Sequence, residues 1–179
     1  MKKGIIKFQI IGLILFVFTA ITSFGQKINS NLSIVKFNVS KFGFSNVDGT
    51  FKGMGGTIVF DENQLASSYF NVCIDARTVL SDDEDRTEHL RDKDFFYVNK
   101  YPNICFKSSS IVKTANGYAV TGDLTIKGKS KKATIPFTFK NNVFKGTFKV
   151  NRKQYNLVDG TKTFLIGDMV DVTIICTVQ

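Results

Sequence analysis

The sequence predicts an all-β fold, a closed antiparallel barrel of about eight short strands with a single helix. Three observations predict it. Apolar and polar residues alternate with period two from residue 33 onward. Tight-turn signals separate the alternating runs. Fourteen phenylalanines and no tryptophan remain once an N-terminal export signal is set aside, an aromatic-rich face that one sheet must bury. Closing the sheet on itself buries that face and leaves no open edge. With about eight strands, the interior is either filled by side chains or holds one small ligand.

The elements follow in chain order. Lys2, Lys3 and Lys7 precede an apolar run from Phe8 to Ile21, and Ser23 and Gly25 then stand at the −3 and −1 positions of a cleavage before Gln26. The run is shorter than the roughly 20 residues that span a bilayer. Residues 1–25 are therefore expected to be an export signal, and residues 26–179 one domain. Val35, Phe37 and Val39 share a face of the first strand, and the apolar parity then moves to Phe42 and Phe44, which predicts a bulge near Lys41. Val47, Gly49 and Phe51 follow, and KGMGG at 52–56 is expected to be a hairpin turn into TIVFD. Phe70, Val72, Ile74 and Ala76 make the next apolar face, with Cys73 and Asp75 opposite.

Beyond an acidic stretch, Ile104, Phe106 and Ile111 begin a meander. Its later strands carry Tyr118 to Ile126, Ala133 to Phe139, Phe144 to Val150, and Val170 to Val178 at alternate positions. The turns between them are ANG at 115–117, KGKS at 127–130 and Asn141–Asn142. No repeat or second-domain linker interrupts the pattern.

Residues 82–94, DDEDRTEHLRDKD, are the one helical segment. Ser81 and Glu84 fit a capping box. The carboxylates of Asp82, Asp83, Glu84 and Asp85 favour the positive end of the helix dipole. Helix initiation thus accounts for much of the acid cluster. His89, the only histidine, neighbours Asp85 and Asp92 at helical spacing, but Arg86 and Lys93 flank it too. One histidine without cysteine partners is a poor zinc site, so no metal site is expected. His89 is read either as a surface residue that orients the helix or as a contact for an anionic ligand. The sequence has no G-x-S-x-G, P-loop or G-x-G-x-x-G motif. No catalytic residue or cofactor is assigned, and the chain is read as a non-enzyme.

Residues 1–25 hold three of the 24 basic residues and none of the 15 acidic ones, so the mature chain carries 21 against 15, a net +6. Seven acids fall within 82–94, which leaves the rest of the surface strongly basic and suited to anionic partners. Nucleic acid is not expected as a partner of an exported chain, and the basic turn KGKSKK at 127–132 lacks the interleaved aromatics of single-strand binders. Three cysteines cannot all pair within one molecule. Cys73, Cys105 and Cys176 are buried thiols, or Cys73 and Cys105 bridge neighbouring strands; both readings stand.

Four stretches carry a family resemblance: VDGTFKGMGGTIVFDEN, RTEHLRDKDFFYVNKYPNICFKSSSI, YAVTGDLTIKGKSKKATI and FKGTFKVNRKQYNL. From about residue 32 to its end the chain resembles the YceI-like exported proteins. The most specific marks are R-x-x-H-L-R, D-F-F and Y-P-x-x-x-F ahead of G-D-L-T-I-x-G. The resemblance implies an eight-stranded antiparallel lipocalin-like barrel with one short helix near the barrel mouth. It also implies a long apolar tunnel for a polyisoprenoid or similar amphiphilic chain, non-catalytic carriage or sequestration of that lipid, and a periplasmic or secreted location. The sequence departs from the family pattern at Lys41, where histidine is frequent, at Thr87, where an acid is common, and at Ser130, which replaces a threonine. The cysteines are not part of the pattern. Lys41 and Thr87 at the mouth would alter head-group preference.

The alternation nominates Phe37, Phe51, Phe60, Val72, Ile74, Phe106, Leu124, Phe137, Phe148 and Val172 as tunnel lining. Arg86, His89, Arg91, Lys131 and Arg152 are the charged head-group candidates. The partners expected are a long-chain isoprenoid or acyl lipid and transiently a membrane surface, with a homodimer as a further option. The rival reading is an envelope interaction or stress-protective module with a solid core that docks through its basic surface. Salt discriminates the two, since screening weakens charge docking and not chain burial.

Overall fold

The computed structural model describes residues 25–41, 45–157 and 166–179. The expected signal (Gly25 apart) and the phenylalanines at 42 and 44 lie outside them. Ten strands form one antiparallel sheet in the order β3-β4-β6-β7-β8-β9-β10-β1-β2-β5. They are β1 Ile34–Lys41, β2 Ser45–Phe51, β3 Gly55–Val59, β4 Tyr69–Asp75, β5 Leu80–Ser81, β6 Asn103–Thr114, β7 Gly117–Ile126, β8 Lys129–Lys140, β9 Val143–Asn151 and β10 Ile166–Thr177. The count is ten rather than eight, the two-residue β5 carrying no alternation to reveal it, and the sheet is a curled half-barrel rather than a closed one, because its edge strands β3 and β5 do not pair with each other.

KGMGG does not make a hairpin. β2 pairs with β1 and β5, whereas β3 pairs with β4 at the far edge of the sheet. Residues 52–54 therefore carry the chain from one edge region to the other. Gly53, at φ 72°, supplies the left-handed backbone that this crossing needs. Thr78 holds the link, its hydroxyl accepting from the Lys52 amide at 2.8 Å. On β3's free side the ladder is continued by Gln26. Gln26 donates its amide to the Ile58 carbonyl at 2.7 Å, and its side chain both donates to and accepts from the backbone of Phe60. Ile28 bridges to Val178, just past the end of β10.

The expected bulge near Lys41 is present as a register shift between Val39 and Lys41 in the β1–β10 pair. Lys127 and Gly128, and likewise Asn141 and Asn142, all have positive φ, the backbone that two-residue hairpins with primed turns require.

Helix α1 runs over Glu84–Arg91. Its cap is Asp83, whose carboxylate accepts from the Arg86 amide at 2.7 Å, and not Ser81. Ser81 belongs to β5, and its amide donates to the Thr87 hydroxyl at 2.9 Å. Thr87 is buried, donating in turn to the Asp83 carbonyl. It therefore ties the helix to β5 and is not a mouth residue.

Candidate ligand-binding tunnel

The inner face of the sheet encloses an apolar cavity of about 480 Å³. Phe37, Phe51, Val72, Ile74, Phe106, Leu124, Phe137, Phe148 and Val172 all line it. Several of these face inward and yet are only half-buried: Phe37, Val72, Phe106, Phe148 and Val172, with Val35, Ile104 and Ile174 beside them. An inward side chain in a filled core would be fully buried. The exposure is to the hollow itself.

Phe37 stands across the β1–β2 pair from Gly49, and a Cβ at Gly49 would sit 2.1 Å from its ring. The missing side chain is what lets this ring lie flat against the wall. Gly49→Ala is expected to turn Phe37 into the lumen, lowering stability by about 1–3 kcal/mol and weakening apolar-probe binding; thermal melts and probe titrations would show both.

The two ends of the cavity differ. At one end β1 finishes at Lys41, paired with Ile166, and β9 finishes at Asn151, paired with Met169. Here Lys41, Asp85, Arg86, His89 and Phe95 form the wall, with Arg152, Leu157 and Ile166. Asp85 is exposed, so this end opens to water. Lys127 donates to the Asp94 and Asn156 carbonyls and ties the segment after α1 to this rim. Burial lowers the Lys127 pKa despite the nearby Asp94. His89 packs edge-on against Phe95 at 5.0 Å, and Arg86 pairs with Asp82.

At the other end β9 begins at Val143, paired with Thr177. Here Phe70, Phe137 and Phe144 close the wall. Phe60 is a correction to the expected lining. It sits behind those three rings, 6.1, 5.6 and 5.4 Å from them, and does not reach the cavity. The alternation places Phe60 among the inner residues, but its position just past β3 puts it under the floor.

The charged candidates separate in the same way. Arg86 and His89 reach the mouth. Arg91 does not: it is exposed and donates to the Val79 carbonyl at 3.1 Å. Lys131 is directly opposite Leu124 on β8 but is exposed, beyond the cavity wall. Arg152 touches the cavity but is 3% exposed, and its guanidinium donates to the carbonyls of Leu157, Ile166 and Gly167, each at 2.9 Å. It clamps the two chain segments that flank residues 158–165. Arg152→Met would strip these carbonyls of their donor and cost about 2–4 kcal/mol, visible as a lower denaturation midpoint in urea.

Lys41 and Asp85 are mouth residues that the alternation did not nominate. Lys41 continues the series Val35, Phe37, Val39, a signal hidden by the parity change that follows it.

Cys73 and Cys105 are opposite one another on β4 and β6 and form a disulfide. Cys176 is free, buried and part of the cavity wall. Burial raises its pKa from 9.0 to about 11, against a smaller lowering by a hydrogen bond with Ser33. Denatured, unreduced protein is expected to present one reactive thiol, counted with a chromogenic thiol reagent. Because the folded pKa is the higher one, the stabilising contribution of the neutral thiol is complete below pH 9 and is lost as pH rises toward about 11. Among the described residues no group of three or more His, Cys, Asp or Glu could hold a metal ion.

The YceI-like domain pattern matches residues 26–178. Protein YceI of Shigella flexneri is 33% identical over 135 residues, covering 70% of this chain and 71% of that protein. The crystal structure of Burkholderia cenocepacia BcnA superimposes with a TM-score of 0.76 at 30% identity, covering 83% of this chain and 98% of that one. A polyisoprenoid-binding domain from Saccharophagus degradans, implicated in plant cell wall breakdown, superimposes with a TM-score of 0.64 over 86% of this chain and 97% of that one; at 14% identity this is a likeness of fold. The tunnel, the helix at its mouth and the match along nearly all of residues 26–178 agree: the chain belongs to the YceI-like family.

Proposed function

We propose that the protein binds one long-chain amphiphilic lipid, isoprenoid or acyl, and carries or sequesters it without chemical change. The hollow interior carries this reading. Inward-facing Phe37, Phe106, Phe148 and Val172 remain half-buried and front a cavity of about 480 Å³. Apolar carbon entering it gains roughly 0.8 kcal/mol per methylene. About fifteen carbons supply on the order of 12 kcal/mol gross, which exceeds the several kcal/mol of ordering and association cost. The head group rests at the mouth beside Arg86, His89 and Lys41. The ligand named for the Saccharophagus domain is consistent with this reading, but the cavity and not that distant likeness supports it.

Export is part of the same proposal. It is supported by the basic and apolar segments of residues 1–25 and by a disulfide suited to an oxidising compartment. A periplasmic carrier would meet a membrane surface transiently through its basic exterior. Native mass spectrometry of protein purified from its own host, followed by lipid extraction, tests the proposal. A bound hydrocarbon chain is expected. Protein that is always empty, and that takes up no lipid when offered it, would exclude the reading.

A further inference from the structure

The cavity has a volume and a floor, and together they limit the chain it can take. This rests on the lipid-binding reading above and adds a length to it. An apolar cavity of about 150 Å³ accommodates one benzene, or about 25 Å³ per carbon. By that measure a cavity of about 480 Å³ holds roughly 20 carbons.

The floor is two aromatic layers deep. Phe70, Phe137 and Phe144 face the lumen, and Phe60 lies behind them. Tyr118 stacks on Phe137 at 5.4 Å and is anchored by its hydroxyl, which donates to Glu62 at 2.8 Å. Phe139 stacks on Phe144 at 4.2 Å. The lumen-facing rings are thus braced from below and stand in the path of a chain entering at the α1 end.

We infer that this braced floor, through Phe137 and Phe144, is a ruler that limits the length of chain the tunnel can bury to about 15 to 20 carbons. Three or four isoprene units fit, as does an acyl chain of ordinary membrane length. The tail of a longer polyprenol stays outside and contributes nothing more.

The test is a length series on the full mature, oxidised protein, by displacement of a fluorescent fatty acid. Saturated fatty acids from 10 to 24 carbons and polyprenols of 15, 20, 30 and 40 carbons form the series. Affinity is expected to rise about three- to fourfold per added methylene and to level off near 18 to 20 carbons. Phe144→Ala should move the plateau to longer chains. Val172→Phe, which adds a ring on the lumen side between its cross-strand neighbours Phe37 and Phe148, should move it to shorter ones, so the ruler is tested even if Phe144→Ala does not fold. A 40-carbon polyprenol that binds more tightly than the 20-carbon one would overturn the ruler and leave lipid binding intact. So would a plateau that moves with neither variant. Failure of every chain to bind would remove both.

Discussion

Replacing Cys73 and Cys105 together by serine lowers the melting temperature by roughly 10 °C. The bridge closes a loop with a sequence separation of 32 residues. By the chain-entropy relation a loop of that size stabilises by about 3.5 kcal/mol, which for a domain of this length corresponds to a shift of roughly 10 °C. The loop matters functionally as well. It contains β5, α1 and the Phe95–Phe96 pair, the parts that bring His89, Arg86 and Leu90 to the tunnel. Scanning calorimetry of the double variant and of wild-type protein under reductant should give the same lowered transition. A transition unchanged in both would show that the bridge contributes nothing. The expected secondary effect is faster ligand exchange, because the segment forming the mouth is no longer pinned to β4.

Phe148→Asp is expected to reduce chain binding at least about 100-fold while the protein still folds. Phe148 fronts the lumen and is half-buried, so water can reach a carboxylate there in the empty protein. A bound chain would displace that water and leave the charge in an apolar wall. Such a carboxylate has a raised pKa when the chain is bound, so binding should recover partly as pH falls and the group is neutralised. Circular dichroism would establish that the sheet is intact, and titration with a fluorescent fatty acid at neutral and acidic pH would establish the loss. If the variant instead unfolds, the interior is more tightly packed than the half-buried wall implies. Leu124→Asp makes the comparison: Leu124 is only 7% exposed, so the same charge should cost far more stability there.

The inner faces were legible residue by residue because period-two alternation needs only the backbone of one strand. Val35, Phe37 and Val39 point together whatever pairs with β1. The position of α1 was legible for a similar reason, since acids at a helix start are a local effect. Its cap was misplaced by two residues because Ser81 is claimed by a strand, β5, too short to show in any pattern. The place of Phe60 and the partners of Arg152 were not legible, for one shared reason. Alternation and charge say what a side chain is, but not which neighbours surround it in the fold. For Phe60 these are three rings that separate it from the cavity, and for Arg152 three backbone carbonyls that its guanidinium binds at the cavity wall.

By itself, then, the amino-acid order determined an all-β chain, the side of each long strand that faces inward, an acidic helix and cysteines on neighbouring strands. The tertiary structure alone decided that β2 and β3 diverge to different partners, that Cys73 meets Cys105, and that side chains leave part of the interior unfilled. The physical reason is one of dimension. Facing inward is a property of a strand, set by backbone geometry within a few residues. A void is a property of the whole sheet, the difference between the volume it encloses and the volume its side chains fill.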